Sequence, residues 1–98
     1  MAWEIIWSET AEQDLNDILE YWIEHNKSNS YSIKLAQIFL KATRLLIKMP
    51  YSGVATDSNN IRCIFRENYS MFYEILESKI IIHRIWDNRR NPEHIEIK

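Results

Sequence analysis

Apolar residues recur at Ala11, Leu15, Ile18, Leu19, Trp22 and Ile23, a spacing that gathers them on one side of a helix. Ser8 is placed to cap its start, with Thr10 and Gln13 as an alternative capping box, and the early acids Glu9, Glu12 and Asp14 suit the positive end of the helix dipole. Ahead of it, the short segment Trp3 to Trp7 is rich in aromatic and β-branched residues and predicts a strand. The polar run His25 to Ser30 breaks the helical pattern, and a second helix is predicted from about Tyr31 to Lys48. This second helix is apolar over a wide face, which places it between the first helix and a sheet. The short link makes the two helices antiparallel neighbours. Pro50 ends the second helix, and Tyr51 to Asn60 reads as a loop.

Three strands follow, at about Ile61 to Arg66, Tyr69 to Leu76 and Lys79 to Trp86, joined by the pairs Glu67-Asn68 and Glu77-Ser78. Links this short mean antiparallel hairpins and set the register: Arg66 opposite Tyr69, Ile64 opposite Met71, Arg62 opposite Tyr73, Leu76 opposite Lys79, Tyr73 opposite Ile82 and Phe72 opposite His83. One face then carries Arg62, Ile64, Arg66, Tyr69, Met71, Tyr73, Ile75, Ile80, Ile82, Arg84 and Trp86. The other carries Ile61, Cys63, Phe65, Ser70, Phe72, Glu74, Leu76, Lys79, Ile81, His83 and Ile85. Neither is plainly polar. The helices are expected on the first, so the apolar second face predicts a protein partner or a chain terminus lying over it. The fold class is α+β in the order β-α-α-β-β-β, an N-terminal strand and helical hairpin packed on a twisted antiparallel sheet.

At 98 residues, with 46% hydrophobic and 27% charged, the chain is expected to form a single domain over 1–98 with one core. Its apolar runs are too short to cross a bilayer, and a lone Cys63 with no basic-then-apolar leader points to a reducing cytoplasm. One glycine leaves no phosphate-cradling loop, the histidines and cysteine form no zinc spacing, and no cofactor or metal is expected. Formal net charge is −2, against bulk electrostatic capture of nucleic acid. Charge is segregated, however: up to Asn26 only acids occur, and from Lys27 to Pro50 only bases, so the two helices should attract each other.

Ile61 to Ile75 followed by Ile80 to Pro92 resembles the RelE/ParE superfamily of toxins from bacterial type II toxin-antitoxin (plasmid stabilisation) pairs. An arginine seven residues before a tyrosine, tyrosines four apart in an aromatic hairpin and a strand ending in an arginine-bearing turn carry the likeness. The opening strand with Ser8, Ala11, Leu15 and Ile18 extends it over nearly the whole chain. Members share the β-α-α-β-β-β order. The resemblance implies a cytoplasmic, growth-inhibiting toxin held in a hetero-oligomer by a cognate antitoxin. It implies one of two actions, binding an essential target such as DNA gyrase, as in the ParE branch, or ribosome-dependent cleavage of mRNA, as in the RelE branch; a degenerate, non-toxic member that keeps only antitoxin or DNA-complex binding is a third reading.

RNA cleavage needs a base for the 2′-hydroxyl, an acid for the leaving oxygen and cations for the phosphorane-like charge. The sheet positions where RelE-type members carry basic residues fall at Ile61, Cys63, Phe65 and Ser70, and no tyrosine follows Tyr73. That leaves His83, Arg89, Arg90 and Arg66 as catalytic candidates. The ParE-like features fit better: Arg62, Tyr69, Arg84 and Arg90 match, whereas Asp87 and Ser70 stand where a histidine and an arginine are common. Arg62, Arg84, Arg89, Arg90 and Trp86 are therefore target-binding candidates, and the apolar Phe65, Phe72, Ile81 and Ile85 are candidate antitoxin anchors. Blander roles compete. Arg62 and Arg84 suit stacking on tyrosine or pairing with Asp14 or Asp17, and Arg89-Arg90 suit a solvated pair beside Asp87 and Glu93. Cys63 suits a small apolar filler, and Tyr69 and Tyr73 suit the core.

Overall fold

A computed structural model of the chain describes residues 3–90; Pro92 and Glu93, invoked above, lie outside them. The elements are β1 (Glu4–Trp7), α1 (Glu9–Asn26), α2 (Ser30–Lys48), β2 (Val54–Ala55), β3 (Ile61–Arg66), β4 (Tyr69–Leu76) and β5 (Lys79–Asp87). They form a five-stranded sheet in the order β1-β5-β4-β3-β2. The three C-terminal strands are antiparallel as expected, but β1 joins the edge in parallel to β5, with Ile5 opposite Ile80, so the sheet is mixed. The two-residue β2, read from sequence as loop, pairs with β3 through Val54 and Cys63.

Ser8 rather than Thr10 caps α1, its side chain accepting a hydrogen bond from the Ala11 N–H at 3.0 Å. The same hydroxyl donates to the His83 carbonyl, and the Ser8 N–H to the Ile82 carbonyl, so the cap also ties the start of α1 to β5. α1 ends on Lys27, whose φ of 54° supplies the left-handed conformation usually given by glycine. The hairpin turns likewise place Glu67 and Glu77 at positive φ. Ser32 at the start of α2 donates to the Leu19 carbonyl, fastening the helices side by side. The ion pairs among the described residues are His83–Glu74, Arg84–Asp14 and Arg89–Asp87, and none of them joins α1 to α2.

The core forms where Leu35, Phe39, Ala42 and Leu46 of α2 and Ala11 of α1 meet Ile64, Tyr69, Met71, Tyr73, Ile75, Ile80 and Ile82. The helices thus cover the expected face, with Tyr73 at 0% exposure while Phe72 is half-buried on the other side. The register departs from expectation at one point. A bulge puts Tyr73 opposite Ile82 but Phe72 opposite Arg84, leaving His83 as the additional residue. Beyond it Met71 faces Ile85 and Ser70 faces Trp86. The alternation is therefore inverted at the end of β5: Ile85 turns into the helix-covered core, and Trp86 leaves that face.

Candidate functional site

The bulge rearranges the candidate residues. Ile85, taken as an antitoxin anchor on the open face, is buried in the core instead. Phe65 remains on the open face at 56% exposure, with Phe72 and Ile81 half-buried there. Trp86, allowed above at a partner surface, is only 3% exposed. The guanidinium groups of Arg84 and Arg90 lie over its ring, 5.6 and 4.6 Å from the centroid.

Arg62 and Arg84 both make contacts within the fold. Arg84 Nε and Nη2 donate to the two carboxylate oxygens of Asp14 at 2.8 and 3.2 Å, and the Ile85 N–H donates to the same carboxylate at 3.0 Å. β1 ends opposite Ile82, so Asp14 satisfies a strand-edge donor that no neighbouring strand reaches. Arg62 donates to the carbonyls of Gly53 and Tyr51 and lies over the Tyr51 ring at 5.5 Å rather than over Tyr73.

Two of the nuclease candidates, His83 and Arg66, are also engaged. His83 Nε2 lies 2.7 Å from a Glu74 carboxylate oxygen on the open face. Arg66 Nη1 donates to the Phe65 carbonyl at 2.7 Å. Cys63 is buried, and burial raises its thiol pKa, the environment of a filler and not of a nucleophile.

The turn closing β5 is built around Asp87. Its carboxylate accepts from the Arg89 N–H, Nε and Nη2 at 2.9, 2.9 and 2.7 Å, and its carbonyl accepts the Arg90 N–H. Ser70 hydrogen-bonds the Asn88 side chain and the Asn68 carbonyl takes the Asn88 N–H, which fixes the turn to the adjacent hairpin. The Arg89 guanidinium also lies 5.8 Å from the Trp22 ring of α1. Hydrogen bonding to Arg89 holds the Asp87 carboxyl below its ordinary range and in turn raises the pKa of Arg89. A depressed carboxyl stabilises the fold above its unfolded pKa of about 3.9 and loses that contribution as pH falls through the lower folded value. Replacing Asp87 with asparagine should therefore narrow the gap between urea midpoints at neutral and strongly acid pH. Because Arg89 is half in solvent, the expected difference is at most about 1 kcal/mol.

Between this turn and α1 lies a cleft of about 340 Å³, with Tyr69, Asp87, Arg89 and Arg90 on the sheet side and Asp17, Ile18 and Tyr21 on the helix. The arginines of the cleft were legible in the sequence; the α1 wall was not, because Tyr21 reads as a helical surface residue until β5 is seen to end beside it. A second unforeseen surface is on α2, where Ile33, Leu40 and Ile47 are exposed. Their seven-residue spacing, each followed by a lysine, is the signal that marks them. Leu40 borders a groove of about 370 Å³ between the helices, lined also by Trp7, Leu15, Ala36 and Phe39. Among the described residues no cluster of side chains suits a metal ion and no helix is long and apolar enough to cross a membrane.

The sequence model of the ParE toxin of type II toxin-antitoxin systems, parDE, matches residues 5–92. A solved structure of the chromosomal ParDE TA system from P. aeruginosa is similar with a TM-score of 0.71, covering 85% of this chain and 92% of that one. Identity with it is 18%, so the likeness is one of fold. No curated protein matches the chain.

Proposed function

Since this chain belongs to the ParE toxin family of type II toxin-antitoxin systems, we propose that it arrests growth by binding DNA gyrase in the cytoplasm and is neutralised by a cognate antitoxin. The observation that carries this reading over RNA cleavage is the chemistry of the open sheet face. At the positions where RelE-type nucleases carry basic residues it presents Ile61, Cys63, Phe65 and Ser70, with the apolar Phe72 and Ile81 beside them. Arg90 makes no ion pair among the described residues and stands over Trp86 at the closing turn, positioned to meet a target.

The test is induced expression in bacteria with primer extension on an abundant message, paired with a supercoiling assay of purified protein and gyrase. Intact messages with trapped gyrase-DNA complexes are expected. Ribosome-dependent cuts that disappear in His83→Ala or Arg90→Ala would replace this reading with a nuclease, and growth arrest with neither result would mean another target.

Two surfaces suit the antitoxin. The exposed stripe and groove along α2 have the form taken by an amphipathic helix, and the open sheet face offers Phe65, Phe72 and Ile81 to an extended segment. Placing a charge at the centre of the latter, Phe72→Asp is expected to weaken antitoxin binding about tenfold with helical content unchanged. Titration of the purified pair measures this, and unaltered affinity removes the sheet face from the interface.

A further inference from the structure

The cleft between α1 and the closing turn holds more hydrogen-bond donors than the fold uses. Arg89 spends Nε and Nη2 on Asp87, which leaves further N–H groups of its five-donor fork, and none of the Arg90 side-chain donors has a partner among the described residues. Tyr69 adds a third donor. Its oxygen accepts from Trp22 Nε1 at 2.8 Å, but its own hydroxyl proton has no acceptor among the described residues although the residue is only 2% exposed. A buried hydroxyl left without an acceptor is costly, and Tyr69 lines the cleft. Burial also raises its pKa, so the proton stays in place at neutral pH.

Opposite these donors is an aromatic wall. Tyr21 is 52% exposed, and His25 is stacked on it at 5.4 Å with an interplanar angle of 12°, which steadies the ring. Asp17 is beside it, with one oxygen accepting from Gln13 and the other available to an amino or imino N–H. Donors that favour an oxyanion on one side, with a ring and a carboxylate on the other, match the two ends of one ligand.

We infer that this cleft binds a nucleotide, with the phosphate on Arg90, Arg89 and the Tyr69 hydroxyl and the base against Tyr21. The inference rests on the reading of the arginine turn as the target-contacting end of the toxin, and adds nucleic-acid phosphate to what that end recognises. The same chemistry is offered by a free mononucleotide and by an exposed DNA strand.

Calorimetric titration of the full chain with deoxyguanosine monophosphate, a short single-stranded oligodeoxynucleotide and inorganic phosphate tests it. Saturable binding of a nucleotide probe is expected, weakened about tenfold in both Arg90→Ala and Tyr21→Ala but not in the distant Arg44→Ala. Inorganic phosphate should respond to Arg90→Ala and not to Tyr21→Ala. Both residues are exposed, so unchanged circular dichroism verifies that the variants fold. Tighter binding of the strand identifies DNA as the source of the phosphate, and tighter binding of the monophosphate identifies a free nucleotide. Absence of saturation, or equal losses in all three variants, overturns the inference. Gyrase trapping without nucleotide binding overturns it alone, whereas nucleotide binding without any effect on gyrase leaves it standing and removes the gyrase reading.

Discussion

Replacing Gly53 with alanine is expected to destabilise the protein by about 3 kcal/mol, a large part of the stability of a small domain. Gly53 is buried against β3 and β4, and a Cβ built there would lie 2.5 Å from the Tyr73 hydroxyl, 2.8 Å from its ring and 2.9 Å from the Cys63 carbonyl. None of these yields easily. The Tyr73 ring is fully buried, and the Cys63 carbonyl is backbone of β3. The collision also falls on the residue through which the connection after α2 is fastened. Tyr73 donates to the Pro50 carbonyl at 2.8 Å and accepts from the Gly53 N–H at 2.9 Å, and Arg62 donates to the Gly53 carbonyl at 3.0 Å. Moving Gly53 away to relieve the overlap strains the two bonds it makes, to Tyr73 and to Arg62. Guanidinium denaturation gives the loss directly. Removing the hydroxyl separates clash from bonding: in a Tyr73→Phe background the same Gly53→Ala step should cost less, because the nearest atom is gone while the Cys63 carbonyl is still too close. Equal costs in the two backgrounds would show that the hydroxyl is not what Gly53 makes room for.

Much of this architecture follows from local patterns. Helical periodicity located α1 and α2, and the short hairpin links set the pairing of β3 with β4 and of Tyr73–Leu76 in β4 with the first half of β5, including Tyr73 opposite Ile82. The alternation then fails at His83, for a reason local pattern cannot express. An unbroken run from Ile80 to Trp86 is compatible with straight pairing, and the inserted residue becomes evident only once Ser8 is seen holding the Ile82 and His83 carbonyls and Asp14 the Ile85 amide. These contacts span some seventy positions, so no window of sequence contains both ends. The same gap explains why Ile85 was assigned to the wrong face while Phe65, before the bulge, was assigned correctly. It also hides the parallel pairing of β1 with β5, since periodicity describes a strand and not its neighbour. The candidate site divides in the same way. Its arginines were readable because one short turn carries them, whereas the Tyr21 and Asp17 wall depends on how α1 crosses the sheet.

That crossing is set by Asp14, and its replacement by alanine is the other large effect expected, again about 3 kcal/mol. The carboxylate and the Arg84 side chain are only 14% and 17% exposed, so the pair exchanges little with solvent. Two losses combine in the variant. The Arg84 guanidinium loses its two bonds to Asp14, and the Ile85 N–H loses its acceptor on a stretch of β5 that β1 does not cover. Asp14→Asn should cost less than Asp14→Ala, because the amide oxygen can still accept from Ile85 although it carries no charge for Arg84. Arg84→Ala should cost less than Asp14→Ala for a different reason: the aspartate keeps its backbone bond to β5. An ordering in which Arg84→Ala is the most damaging would assign the latch to the ion pair alone. The consequence extends to the arginine turn, because Asp14 lies one turn of α1 before Ile18 and two before Tyr21, on the helix that forms the far wall of the cleft. A loosened latch should therefore weaken whatever Arg89 and Arg90 bind, even under conditions where the Asp14→Ala variant is still folded. A folded Asp14→Ala protein that traps gyrase at the parent concentration would show that the turn acts without the α1 wall.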